Sequence, residues 1–269
     1  MASPVKPGRV LIVAGSDSGG GAGIQADIKS VTALGGFAMT AITALTAQNT
    51  TGVYGVVPVD TDFIAQQMRL VLDDMGADCL KTGMLHSSAV IETVVDVLDD
   101  VAPNLTVVAD PVMFAKGGHP LLEPEAMDSL RGRLVPRAAI LTPNIPEAEA
   151  LADMAVSNLD DMQRAGEAIM ALGAKAVLVK GGHLDGDRLT DVMVTSDGVE
   201  LFHDERIHTK NTHGTGCTLA SALATGLANG LALRESVERA RAYVRAAIIA
   251  APGYGAGHGP MDHGHSLRR

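Results

Sequence analysis

Six short apolar runs, at 9–14, 37–45, 78–82, 105–109, 138–141 and 176–179, each stop at a glycine or a polar cluster, and amphipathic stretches fill the gaps between them. Runs this short and this rich in Val, Ile and Leu read as strands buried on both faces. The intervening stretches carry helical spacing: Ile64, Met68, Val71, Leu72 and Met75 form one stripe, and Val90, Ile91, Val94, Val95 and Leu98 another. Helices are also expected at 23–34, around 123–131, 146–153 and 160–173, and at 215–229 and 234–251. A run at 53–59 reads as an edge strand, and 191–203 as a hairpin turning at Ser196-Asp197-Gly198. Strand and helix in alternation predict an α/β fold with a mostly parallel sheet sandwiched between helices. With 269 residues, 46% of them apolar, the chain can bury one large core, and no linker precedes the Gly/His-rich tail from Pro252. One domain is expected over 1–269, with flexible tails at 1–8 and about 255–269.

In such sheets ligands bind beyond the carboxyl ends of the strands. Here those ends read Gly15-Ser16-Asp17-Ser18-Gly19-Gly20-Gly21-Ala22-Gly23, then Gln48-Asn49, Gly83-Met84, Asp110-Pro111-Val112-Met113, Thr142-Pro143-Asn144-Ile145-Pro146-Glu147 and Lys180-Gly181-Gly182-His183. Nearly every polar or glycine-rich motif of the chain falls on this one edge. Gly21-Ala22-Gly23-Ile24-Gln25-Ala26 fits a dinucleotide-binding fingerprint, but no Asp or Glu lies between Asp27 and Asp60 to hold a ribose, and no glycine run is followed by Lys-Ser or Lys-Thr. The loop therefore reads as one that lets backbone approach a small substrate, with Asp27 one helical turn above Gly23.

The stretch Thr209-Lys210-Asn211-Thr212-His213-Gly214-Thr215-Gly216-Cys217-Thr218 leads into a helical pattern with Leu219, Leu223 and Leu227 at spacing four. Glycines at the mouth of a helix let an anion reach free N–H donors and the positive end of the dipole. Cys217 in that field is expected to have a lowered thiol pKa; a capped helix with a small buried cysteine fits the same residues. Asp110 and Glu147 can hold a hard divalent cation directly or through water, or serve as helix caps or part of a solvated face. Lys180 points toward the same phosphate site, whereas His258, His263 and His265 read as part of a mobile polar tail.

Composition removes several classes of function. A formal charge of −10 with no cationic run argues against nucleic acid and anionic membrane as partners. No apolar run nears the ~18 residues of a membrane span. Two distant cysteines, Cys79 and Cys217, fit a reducing cytoplasm.

The segments AGSDSGGGAGIQADIK, ITALTAQNT, KTGML, DPVM, LTPNIPEAEAL, VLVKGGH and TKNTHGTGCT run in order from residue 14 to 218, and GHGP follows in the tail. In this combination the sequence resembles the hydroxymethylpyrimidine/phosphomethylpyrimidine kinases of thiamine biosynthesis, within the ribokinase superfamily. The resemblance implies a three-layer αβα fold and ATP-dependent phosphorylation of a hydroxymethylpyrimidine and then of its monophosphate. It implies that Gly214, Thr215, Gly216 and Cys217 form the anion hole and base, with cysteine where most ribokinase relatives carry aspartate. Asp27 and Gln48 would hydrogen-bond the pyrimidine, and Gly15, Met84 and Val112 would wall its pocket. Asn144 and Glu147 would organise Mg2+ and phosphate, and Lys180 would contact the ATP phosphates. A homodimer is implied as well. Phe114 and Gly117-Gly118 depart from the family pattern and bear on a flap over the pocket. A vitamin B6 kinase shares the fold and the Gly-Thr-Gly-Cys loop, and a pyrimidine-binding protein without turnover is the alternative outside enzymes.

Overall fold

The computed structural model describes residues 6–115, 118–184 and 186–268. Its strands are β1 (Arg9–Asp17), β2 (Phe37–Asn49), β3 (Gly52–Pro58), β4 (Cys79–Thr82), β5 (Thr106–Ala109), β6 (Ile140–Leu141), β7 (Ala176–Val179), β8 (Arg188–Thr195) and β9 (Gly198–Glu205). They form one sheet in the order β3-β2-β1-β4-β5-β6-β7-β8-β9. The six strands from β2 to β7 pair in parallel, while β3, β8 and β9 join antiparallel at the two edges.

Helices α1 (Gly23–Ala33), α2 (Thr61–Asp74) and α3 (Ser88–Val101) connect the first half of the sheet. A helical stretch then runs through Pro124–Ala126, α4 (Met127–Ser129), a π-turn at Leu130–Leu134 and α5 (Val135–Arg137). It is followed by α6 (Ile145–Ala152), α7 (Leu159–Ala171), α8 (Thr215–Ala228) and α9 (Leu233–Ile249). Side-chain alternation along β1 explains how the sheet is covered. Leu11 and Val13 pack into a cluster with residues of α2, α3, α6 and α7, while Val10, Ile12 and Ala14 pack with α1, α8 and α9. Polar starts set several helix boundaries: Asp60, Ser87 and Asn158 each accept an N–H from the first turn of α2, α3 and α7.

The α/β expectation holds, with three local differences. The second strand runs past residue 45 to Asn49, because β3 folds back on it, so Gln48 sits within a strand, beside a bulge, opposite Val53. The helical stretch expected near 123–131 continues to 137, its middle widened by the π-turn.

The third difference is the carboxyl-terminal segment, expected to be mobile and found tied down. His258 N donates to Thr50 O at 2.8 Å, His213 N to Gly259 O at 3.1 Å, and Tyr243 OH to His263 O at 2.6 Å. A side chain at Gly257 or Gly259 would run into Thr50 or Asn211, so glycine here allows close backbone packing. His263 is 3% exposed and bonds Thr218 Oγ1 at 2.9 Å. Burial, then the positive charge of Lys29, pushes its pKa down to about 4, so the ring is neutral near pH 7. Of the expected amino-terminal tail, residues 1–5 lie outside the described residues, and Gly8 N bonds Asn229 Oδ1 at 2.9 Å. Among the described residues no helix is long and apolar enough to cross a membrane.

Candidate active site

A cavity of about 790 Å³ opens along the carboxyl edge of the sheet, spanning the ends of the strands from β2 to β7. Chain order reverses between β1 and β4, the kind of switch point where the strand ends leave a crevice. Gly15, Gln48, Met84, Val112, Asp110, Asn144, Glu147 and Lys180 all line it. Gly214, Thr215, Gly216 and Cys217 lie on its wall as well. The sheet thus brings together all but one of the residues expected at the site.

The loop before α8 is built for close approach. Gly214 sits at φ 81°, and a Cβ there would drive into the carbonyl oxygen of Gly21. A Cβ on Gly216 would lie 3.1 Å from Lys180 Nζ and 3.5 Å from Asp110 Oδ2. No side chain caps α8, and of its first-turn amides Thr215 N turns back to Thr212 O at 3.4 Å. Beside it, Gly23 at φ 54° brings α1 against Gly15, where a Cβ would stand 2.5 Å from the Gly15 carbonyl oxygen. Two glycine-opened helix starts therefore face one cavity.

Lys180 Nζ donates to Asp110 Oδ1 at 3.1 Å, and Thr142 Oγ1 donates to the same oxygen at 3.0 Å. Burial alone would lower the Lys180 pKa, but Asp110 and Glu147 raise it and keep the ammonium charged. Glu147 and Asn144 form a capping box: Asn144 N donates to Glu147 Oε2 at 2.8 Å, and Glu147 N to Asn144 Oδ1 at 2.9 Å. Helix capping, one of the readings open for Glu147, is therefore present, and the Met113 N–H adds a further bond to the same carboxylate. Burial lifts Glu147 to about 7; Lys180 opposes this and the nearby Asp110 charge adds to it. Among the described residues no three His, Cys, Asp or Glu side chains gather as a metal cage. Two carboxylates at an open cavity suit instead a magnesium ion that keeps waters and arrives with phosphate oxygens.

Two expectations fail here. Cys217 was expected to have a lowered pKa at the helix start. Burial instead pushes it up to about 12, with Lys81 opposing and Asp27 and Asp110 reinforcing. Asp27 was expected to touch the pyrimidine, yet it does not line the cavity and is fully buried. It takes Lys81 Nζ at 2.9 Å on both oxygens and Ser221 Oγ at 2.7 Å. Its neighbour in sequence, Ala26, faces the core as well, so α1 turns this carboxylate into the sheet, where β4 supplies the cation. Phe114 lies at the rim, half exposed and bridged to Pro120, with Gly118 N bonded to Ala115 O at 2.9 Å; Gly117 lies outside the described residues.

Sequence reasoning assigned no role to Asp17 or His213, and both line the cavity. Asp17 accepts Gly19 N at 2.7 Å, Gly21 N at 3.0 Å and Ala22 N at 2.8 Å, and His213 Nε2 at 2.9 Å. Burial would raise its pKa, but the bonds from His213, Ala22 and Gly19 hold it at about 2. The only hint in the sequence is position: an acid inside the first glycine loop and a histidine just before Gly214.

With this geometry in view, comparison with known proteins is specific. The family described as phosphomethylpyrimidine kinase matches residues 17–262. A hydroxymethylpyrimidine/phosphomethylpyrimidine kinase of Bacillus subtilis is 46% identical over 95% of this chain and 94% of its own length. The thiamine biosynthesis bifunctional protein ThiED of Geobacter sulfurreducens is 48% identical over 97% of this chain, which spans about half (53%) of that protein. Among solved structures, an ADP complex of Bacillus subtilis pyridoxal kinase superimposes with a TM-score of 0.90 at 37% identity, covering 98% of this chain and 100% of that one.

Proposed function

The chain belongs to the phosphomethylpyrimidine kinase family, and from that premise we propose that its cavity transfers the γ-phosphoryl group of ATP to 4-amino-5-hydroxymethyl-2-methylpyrimidine and then to the monophosphate, in thiamine diphosphate biosynthesis. One observation carries the residue-level reading. The Gly214–Cys217 loop, the Lys180–Asp110 pair and Gln48 converge on one cavity, with Gly216 packed against Lys180 Nζ.

In this reading the pyrimidine lies against Gly15, Gln48, Met84 and Val112. ATP phosphates lie between Lys180 and the amides of Gly214, Thr215 and Gly216, with Asn144 holding Glu147 in place. The substrate oxygen bonds to phosphorus as the bond from phosphorus to the ADP oxygen breaks, and the hydroxyl proton leaves toward Cys217. Such transfer needs alignment and charge neutralisation more than a strong base; the proton passes to the thiolate form of Cys217, which burial makes scarce at neutral pH. Lys180 and the loop amides are placed to meet charge as it spreads over the transferring group. Glu147 and Asp110 would hold Mg2+, which supplies bridging charge to the phosphates when bound.

The packing of α1, α8 and α9 on one side of β1 and of α2, α3, α6 and α7 on the other supports a ribokinase-like three-layer αβα arrangement in a single domain. Free thiols at Cys79 and Cys217 fit a cytoplasmic setting. Exposed Leu45, Tyr54 and Val57 on β2 and β3 fit a homodimer contact.

The vitamin B6 kinase reading rests on the likeness to pyridoxal kinase. ADP release measured with the hydroxymethylpyrimidine, its monophosphate and pyridoxal separates the two. The pyrimidines are expected to give the higher kcat/KM, and a preference for pyridoxal would reverse the assignment.

Glu147→Gln is expected to raise the magnesium requirement and leave pyrimidine affinity nearly unchanged, since one carboxylate leaves the cation's shell. Because the Glu147 pKa is raised to about 7, its charged fraction grows as pH rises through that value. The wild-type magnesium requirement should therefore fall from pH 6 to pH 8, and the Gln variant should lose that dependence. Magnesium titrations at saturating ATP check both; an unshifted curve removes Glu147 and leaves Asp110 as the ligand.

A further inference from the structure

Gln48 faces the cavity with a side-chain amide whose two ends differ: one oxygen that accepts and one NH2 group that donates. The end of this amide lies 3.3 Å from His213 Nε2. That same ring nitrogen lies 2.9 Å from Asp17 Oδ2. Asp17 is 3% exposed and already accepts three backbone N–H groups, so it is an ionised carboxylate that can only accept.

A proton must therefore sit on His213 Nε2 whether the ring is neutral or charged, since a bare lone pair would face the carboxylate's own. A protonated Nε2 cannot accept from the Gln48 NH2 group. The amide avoids a donor-to-donor contact only when turned about its last bond, with Oε1 sharing the Nε2 proton that Asp17 also accepts and NH2 toward the cavity.

The ring is held where it can enforce this. A Cβ on Gly21 would stand 2.5 Å from His213 Cδ2, so the glycine backbone lies flush on the imidazole. His213 also bridges to Pro260 of the carboxyl-terminal segment.

We infer that Asp17 and His213 are specificity-determining positioning residues, which lock the Gln48 amide as a donor and so require a ring nitrogen bearing a lone pair in the substrate. The inference deepens the pyrimidine kinase reading and rests on it. A 4-aminopyrimidine offers such a nitrogen beside its amino group, and Gln48 Oε1 keeps a lone pair for that amino group. A 4-oxopyrimidine in its lactam form carries N–H there instead, which would meet the NH2 group donor to donor. A site with fixed donors discriminates strongly between such analogues, because a mismatch leaves buried polar groups unpaired.

The test compares kcat/KM for 4-amino- and 4-oxo-5-hydroxymethyl-2-methylpyrimidine in the wild type, His213→Ala and His213→Phe, together with their melting temperatures. His213→Phe keeps a ring against Gly21 and removes Nε2, so it guards against simple loss of packing. Wild type should prefer the amino compound, and both variants should lose at least about tenfold of that preference as the amide becomes free to turn. A merely structural histidine would lower both kcat/KM values together and leave their ratio intact. An unchanged ratio in both variants, or no preference in the wild type, would overturn the inference. Failure of the kinase reading is distinguishable, because then the wild type would phosphorylate neither compound.

Discussion

Lys81→Met is expected to destabilise the fold by about 3–5 kcal/mol, the scale found when one partner of a buried ion pair is removed. Lys81 and Asp27 are both 0% exposed, and the ammonium lies 2.9 Å from each carboxylate oxygen. Burial alone would lower the Lys81 pKa, and the Asp27 charge overrides it and raises it. Without the lysine, Asp27 retains only Ser221 as a side-chain partner for a charge with no access to water. It then either stays charged at high cost or takes up a proton. A chain of this size should lose roughly 10 °C in Tm for such a change. Adding Asp27→Asn to Lys81→Met removes the stranded charge and should recover half or more of the loss, because the neutral amide keeps a bond to Ser221. Denaturant unfolding of the single and double variants measures this. A single variant within about 1 kcal/mol of wild type would mean that the pair is not held as ions.

The second large effect is on turnover. Cys217→Ala is expected to lower kcat about 10²-fold with little change in KM for either substrate, the scale of a positioned proton acceptor. Burial pushes the thiol up to about 12, so at neutral pH only a minor fraction is ionised. That fraction grows as pH rises, so wild-type kcat should climb between pH 7 and pH 9, and the alanine variant should lack this climb. The profile of kcat against pH for both proteins checks the assignment. If the variant turned over at the wild-type rate, the thiol would be a packing residue and catalysis would rest on Lys180 and the loop amides.

How much of this could be read from sequence divides along a physical line. The parallel strands were legible because strands covered on both faces must be short apolar runs, and the helices between them because one face must be apolar. The strand ends then placed Gln48, Asp110, Glu147, Lys180 and the Gly214 loop on one edge without any knowledge of side-chain contacts. What escaped were interactions between distant residues. Nothing local says that α1 turns Asp27 inward onto Lys81, 54 positions away, or that Asp17 meets His213 across 196. The Cys217 pKa was misjudged for a related reason. The helix start is a local feature with a favourable field, whereas burial and the neighbouring Asp27 and Asp110 charges are supplied by the rest of the fold. The Gly/His-rich tail looked mobile by composition, yet its glycines are what allow it to lie against Thr50 and Asn211.

Phosphorus NMR of the purified chain with the hydroxymethylpyrimidine, ATP and magnesium tests the central claim most directly, since it follows where the γ-phosphorus goes. The account predicts ADP formed together with the pyrimidine monophosphate, followed by a diphosphate signal as the monophosphate is consumed. ATP converted to ADP and inorganic phosphate, with no phosphorylated pyrimidine at any time, would contradict it.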